Sequence, residues 1–210
     1  MEHLKVNTIR AEEFEKYLFS EDIGFMRKML IMGIILYSLF GIIDRLLNVD
    51  NIDTFTLIRF GIVIPSIFIV FLLSFHKSFY TLHQYLLTTI FTTAGIGIVV
   101  MLTLAPTVFS YYGGLFLVFG YAYFLIRIKW QFAAVGSLAI MITYFVLALI
   151  HLGDYMIDVV VISLFYFAFN IIAGFSGYTF SSYRLHRYNE KKLLKGDKVI
   201  LEKKNYNNLR

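Results

Sequence analysis

The chain has no cysteine and two prolines in its 210 residues. Without cysteine, neither a disulfide framework nor a thiolate metal site can form. The phosphate-loop pattern G-x-x-x-x-G-K-[ST], the zinc pattern H-E-x-x-H and the nucleophile pattern G-x-S-x-G are all absent. Gly113-Gly114 lies inside an apolar run and reads as a helix-packing position rather than a phosphate loop. The histidines are scattered. His76 and His83 flank one short link, but no carboxylate stands near them in sequence, and they read as interfacial rather than metal-binding. Residues 1–28 carry charges throughout and lack an early apolar core, which excludes a secretory signal. The expectation is no catalytic residue, no metal and no cofactor in this chain.

What is present is apolar. Hydrophobic residues make up 59% of the sequence and the mean hydropathy is +0.71, values that point to a bilayer as solvent. Six apolar runs, 29–47, 56–75, 84–105, 109–126, 131–152 and 156–180, are long enough to span or nearly so. Each must be helical, because lipid cannot satisfy free backbone groups. Short links make consecutive helices antiparallel neighbours. The expected fold is therefore an all-α integral membrane protein. It comprises a cytosolic arm (1–28), six transmembrane helices (29–180) and a cytosolic helix (181–210) continuous with the sixth span.

Lysine and arginine set the orientation. Five lie in the N-terminal arm, Lys77 in the second link, Arg127 and Lys129 in the fourth, and nine in the tail. Only Arg45 and Arg59 fall on the other side. The positive-inside rule then places both termini in the cytoplasm of a multi-pass protein of the inner (plasma) membrane. The same rule accounts for the net charge of +5 without nucleic acid. In the arm, Ile9, Phe14, Tyr17, Leu18, Phe25 and Met26 alternate with charged residues, the pattern of an amphipathic helix at the membrane surface.

Ionisable groups near membrane depth ask for a reason. Asp44 falls near the outer end of span 1 and Arg59 near the outer start of span 2. Each opposes the dipole of its own helix, so each gains if the other neutralises it across the hairpin. Two readings stay open: snorkelling at the interface, or an ion pair closing a cavity for an apolar or amphiphilic ligand. Tyr37 shares the Asp44 face with Gly33 and Gly41. Asn170, deep in span 6, needs a partner across helices.

From 159 onward no proline interrupts the chain. A 3-4 spacing runs through Gly174, Tyr178, Ser181, Leu185, Tyr188, Lys192, Lys195, Val199, Glu202, Tyr206 and Leu209. Such a stripe suits a parallel homodimer seam leaving the membrane as a coiled coil, with charged positions tuning its register. A solvated basic helix near anionic lipid is the open alternative.

Four blocks carry a resemblance: LYSLFGIIDRLL in span 1, LIRFGIVIPSIFIVFLLSF in span 2, YFLIRIKWQFAAVGSLAIMITYFVLALI across spans 4 and 5, and FNIIAGFSGYTFSSYRLHR at span 6. Together they resemble the six-helix membrane anchor of bacterial class III adenylyl cyclases; related anchors precede diguanylate cyclase and histidine kinase modules. The resemblance covers roughly residues 10–200. It implies a homodimer, a sensory role, and a transducer helix leading to a cAMP-forming output domain. It supplies no catalytic residues, since the metal-binding aspartates of such a domain have no counterpart here; that domain is expected on a longer protein or a separate chain. A second reading is the substrate-binding six-helix subunit of a vitamin transporter, which would dock its partner through small residues such as Gly33 and Gly41.

Overall fold

The computed structural model describes residues 2–46, 51–105, 110–151 and 155–208, with side chains described for 13–46, 51–105, 112–151 and 155–191. All regular structure among them is helical. Helix α1 (Glu2–Leu46) joins the charged arm and the first apolar run in one 45-residue helix. Helix α2 comprises Ile52–Thr56, a π-helical stretch Leu57–Val63, and Ile64–Leu73. Helix α3 is Phe79–Leu104, and α4 comprises Ser110–Gly120 followed by a π turn, Tyr121–Leu125. Helix α5 is Trp130–His151, and α6, Met156–Asn208, is 53 residues long.

The π stretch of α2 has a local cause. Pro65, just beyond it, has no N–H to donate, and its ring crowds the carbonyl four residues back. The preceding turn widens, and the Ile64 N–H bonds instead to the carbonyl of Arg59, five residues back.

Helix α3 forms the axis of the bundle. Its most apolar window is 61% buried, against 17–33% for the comparable windows of α1, α2, α5 and α6. Its closest neighbour is α5, and glycine makes the approach feasible. A Cβ at Gly95 would collide with Ile140, which is fully buried. A Cβ at Gly136 would stand 2.8 Å from both Phe91 Cε1 and Thr92 Oγ1.

The six helical segments run up and down. At one end the arm of α1 meets the α2–α3 link, where Arg27 Nη2 donates to the Ser74 carbonyl at 2.6 Å. The arm meets the α4–α5 link through Glu15 and Lys129, 2.8 Å apart, and meets α6 through Asp22 and Arg184, 2.5 Å apart. Asp44 and Arg59 meet at the opposite end. The segments rich in lysine and arginine thus gather at one end of the bundle.

Among the described residues, five helices are long and apolar enough to cross a membrane; the apolar stretch of α4, Tyr112–Leu125, is shorter. Eleven residues of α-helix and five of π-helix reach about 24 Å, short of a hydrocarbon core of about 30 Å. Outward-facing apolar side chains are abundant: Leu46, Val135, Ile150, Ile157 and Phe175 are each at least two-thirds exposed. Such a surface exceeds what water tolerates on a monomer and fits a multi-pass membrane protein.

The arm departs from a helix lying on the membrane surface. Phe14 and Tyr17 pack on Tyr188 of α6, with ring centroids 5.1 and 4.9 Å apart. Phe19 packs on Phe79, Tyr80 and His83 of α3, and Met26 is buried. The chain itself covers the arm's apolar side, because the polar ends of α3 and α6 offer aromatic faces at the right height.

Candidate functional site

A cavity of about 410 Å³ opens between α1 and α4, floored by α3 and bounded by α2. Its wall is almost wholly apolar. Leu30, Ile67, Ile90 and Ile98 lie deep in it, while at its edges Leu36 and Ile43 are about two-fifths exposed and Leu117 more than half. The opening is therefore sideways, through the apolar surface, rather than through either polar end.

Asp44 and Arg59 close one end of this cavity. Arg59 Nε donates to Asp44 Oδ2 at 2.6 Å and Nη2 donates to Oδ1 at 3.2 Å, a two-pronged pairing. Both residues are only 3% exposed. The two residues face each other because α1 ends and α2 begins at that end, and the widened turn of α2 carries Arg59. The guanidinium also lies over the rings of Tyr37 and Phe40, at 5.2 and 5.9 Å. Tyr37, buried in the wall, donates its hydroxyl to the Ala94 carbonyl of α3 at 2.6 Å. Gly41 makes room for the hairpin, since a Cβ there would stand 2.6 Å from the Phe60 ring.

Toward the other end, Tyr121 of α4 reaches across to α1, and its hydroxyl donates to the Met29 carbonyl. Gly33, one turn after Met29, admits that hydroxyl; a Cβ at position 33 would lie 3.1 Å from it. Nothing in the sequence marked Tyr121, an aromatic residue within an apolar run.

Asn170 does not join this site. Its Nδ2 donates to the Tyr166 carbonyl at 2.9 Å and contacts Met141 Sδ of α5 at 3.4 Å. Among the described residues its Oδ1 is buried without a hydrogen bond, as are the hydroxyls of Tyr144 and Ser163. Asn170 does reach across helices, but through a sulfur, a weak acceptor.

The stripe on α6 divides. Tyr178 and Leu185 are about half exposed, Ser181 is exposed, and Gly174 has open space where a Cβ would be. Tyr188 turns the other way, onto Phe14 and Tyr17. A 3-4 count drifts round a straight helix, so Tyr188 falls on the inward face that carries Ala173, Gly177 and Arg184. Val199, Tyr206 and Leu209 lie outside the residues whose side chains are described.

A second charge cluster sits at the polar end, where sequence reasoning registered only topology signals. Asp22 is 9% exposed. It accepts from Arg184 Nη2 at 2.5 Å, and Arg127 Nε lies 3.8 Å from its Oδ1. Further along the arm, Lys191 Nζ meets Glu21 Oε1 at 3.0 Å and the Tyr17 hydroxyl at 2.7 Å. The Tyr17 hydroxyl, and then Lys191, hold the Glu21 carboxyl below the usual carboxylate range.

Compared with family models, curated proteins and solved structures, the chain matches none.

Proposed function

We propose that the chain is the membrane-embedded sensory and dimerisation module of an adenylyl cyclase-like signalling protein, crossing the inner membrane six times with both termini in the cytoplasm. The cavity takes a lipophilic or amphiphilic ligand entering sideways from the bilayer. The change passes to a cytosolic output domain through α6.

The observation that carries this reading is the single helix of α6, which begins in the apolar bundle and continues through the charged tail without a break. Only a stiff element carries a rotation or shift over such a length. Helix α4 stands between cavity and transmitter. Leu117 and Tyr121 line the cavity, while Phe116 and Phe119 pack on Tyr166 and Phe169 of α6. A ligand that binds two packings of α4 unequally biases α6 by that difference. A twin chain would meet the open stripe of Gly174, Tyr178, Ser181 and Leu185.

The vitamin-transporter reading finds less support. The small residues on α1 that a docking partner would use are covered from within, Gly33 by Tyr121 and Gly41 by Phe60.

The test places a cyclase output domain behind residue 210. One residue inserted after Tyr183 rotates everything beyond it by about 100°. Basal activity should change strongly, and a seven-residue insertion should largely restore it. Equal activity for both insertions would make the tail a passive tether and overturn the proposal. Reporter fusions at His76 and Lys129 should read cytoplasmic, and at Asn48 and Gly153 external; one contrary site removes the six-span topology.

A further inference from the structure

At the polar end, the arm, the α4–α5 link and α6 enclose a cleft of about 210 Å³. Three cations line it, Arg127, Lys129 and Arg184, against two carboxylates, Glu15 and Asp22, with His83 beside them. Two of the cations are matched. Lys129 takes Glu15 at 2.8 Å, and Arg184 takes Asp22 at 2.5 Å. Arg127 shares Asp22 with Arg184. Its Nε, shut off from solvent, lies 3.8 Å from Asp22 Oδ1, within ion-pair reach, and has no hydrogen bond among the described residues. A buried donor without an acceptor costs free energy that a suitable acceptor would recover.

Arg127 is held for that role by more than charge. Its backbone has φ 64°, a left-handed conformation rarely adopted by a residue with a side chain. The link around it is pinned where the Lys129 N–H donates to Gln84 Oε1 at 2.8 Å. Its guanidinium lies over the rings of Phe25 and Phe180, 4.8 and 5.4 Å from their centroids. Pinned backbone, stacked guanidinium and unmet donor together describe a preformed anion site. A guanidinium fork matches the oxygens of a phosphate better than any other common anion save a carboxylate.

We propose that this cleft binds a phosphate anion, free or esterified, with Arg127 as its principal ligand. Its place at the charged end of an apolar bundle makes the headgroup of an anionic phospholipid the natural source; free phosphate is the competing one. The site stands apart from the sensory reading and does not depend on it.

Trp130 lines the cleft and is the chain's only tryptophan, so its emission reports occupancy. The purified full chain is placed in phosphatidylcholine nanodiscs, and the fraction of phosphatidylglycerol is raised at constant salt. A saturable emission change is expected. Arg127→Asn, which keeps a residue tolerant of the left-handed backbone, should raise the half-saturating fraction by about tenfold or more. Asp22→Asn should lower it, since a competitor for the two arginines is gone. Lys77→Gln, outside the cleft, should leave it unchanged. Saturation by inorganic phosphate alone, in plain phosphatidylcholine, would keep the anion site and assign it to soluble phosphate. No saturable change with either anion, or wild-type titration by Arg127→Asn, overturns the proposal. If Arg127→Asn fails to fold, Arg184→Gln carries the same test: it frees Asp22 to engage Arg127, and wild-type binding by it overturns the site.

Discussion

The two charge clusters, at opposite ends of one bundle, solve the same problem differently. At the far end, Asp44 and Arg59 are joined by two hydrogen bonds and sealed from solvent. At the polar end, Asp22 faces two arginines and satisfies one of them by hydrogen bonding. The first arrangement is complete and serves as a plug for the cavity. The second sets two arginines against one carboxylate, and the Arg127 Nε has no hydrogen bond among the described residues. Burial explains the difference. A charge sealed from solvent must be neutralised in place, whereas a side chain partly open to a cleft, as Arg127 and Arg184 are, can also take a partner from outside.

Breaking the sealed pair should produce the largest effect. Asp44→Ala and Arg59→Ala should each cost about 3–5 kcal/mol in reversible unfolding, because each strands a buried charge. Asp44→Leu combined with Arg59→Met should recover most of that loss. A double variant as unstable as either single one would mean that the pair does more than neutralise itself.

The polar cluster should respond less. Asp22→Asn leaves Arg127 and Arg184 near water, and its cost should be about 1–2 kcal/mol, between exposed and buried pairs. A loss equal to that of Asp44→Ala would erase the distinction between the two ends.

The cavity wall between the clusters offers an intermediate probe. Tyr121→Phe removes one hydrogen bond to the Met29 carbonyl and should cost about 1 kcal/mol. Gly33→Ala displaces the same hydroxyl by sterics, so the two changes combined should cost little more than one alone. Full additivity would show that Gly33 and Tyr121 act separately.

The smallest effect is expected where the arm meets the tail in water. Lys191→Ala should barely move the unfolding midpoint near neutral pH, since both partners are about half exposed. The pH dependence has a definite sign. A carboxyl held below its unfolded pKa stabilises the fold above that value, and the contribution fades as pH falls through the folded one. The small difference between wild type and Lys191→Ala should therefore shrink in acid. Growth of the difference toward low pH would contradict the assignment of Glu21 as the partner.

How much of this was readable beforehand follows range. The helical runs were legible because hydropathy and the lack of breakers act over neighbouring residues, and bilayer thickness sets a length to compare with. The hairpin geometry behind Asp44 and Arg59 was legible for the same reason: one short link joins their helices. The packing of Phe14 and Tyr17 on Tyr188, which takes that residue out of the open stripe, was not legible. An amphipathic face records that something apolar covers it, not whether lipid or an aromatic side chain far along the chain does so.

The amino-acid sequence by itself determined an all-helical chain with a charge-rich end, an apolar body and an unbroken last helix, all products of local composition and spacing. Tertiary structure alone decided that α3 is the axis, that Gly95 and Gly136 bring α5 against it, and that Tyr121 closes the cavity wall. It alone decided that Arg127 and Arg184 share Asp22. Each of these depends on which residues distant in sequence meet at one height in the bundle. That height is set by helix ends, widened turns and link geometry summed along the chain, and no window of neighbouring residues contains it.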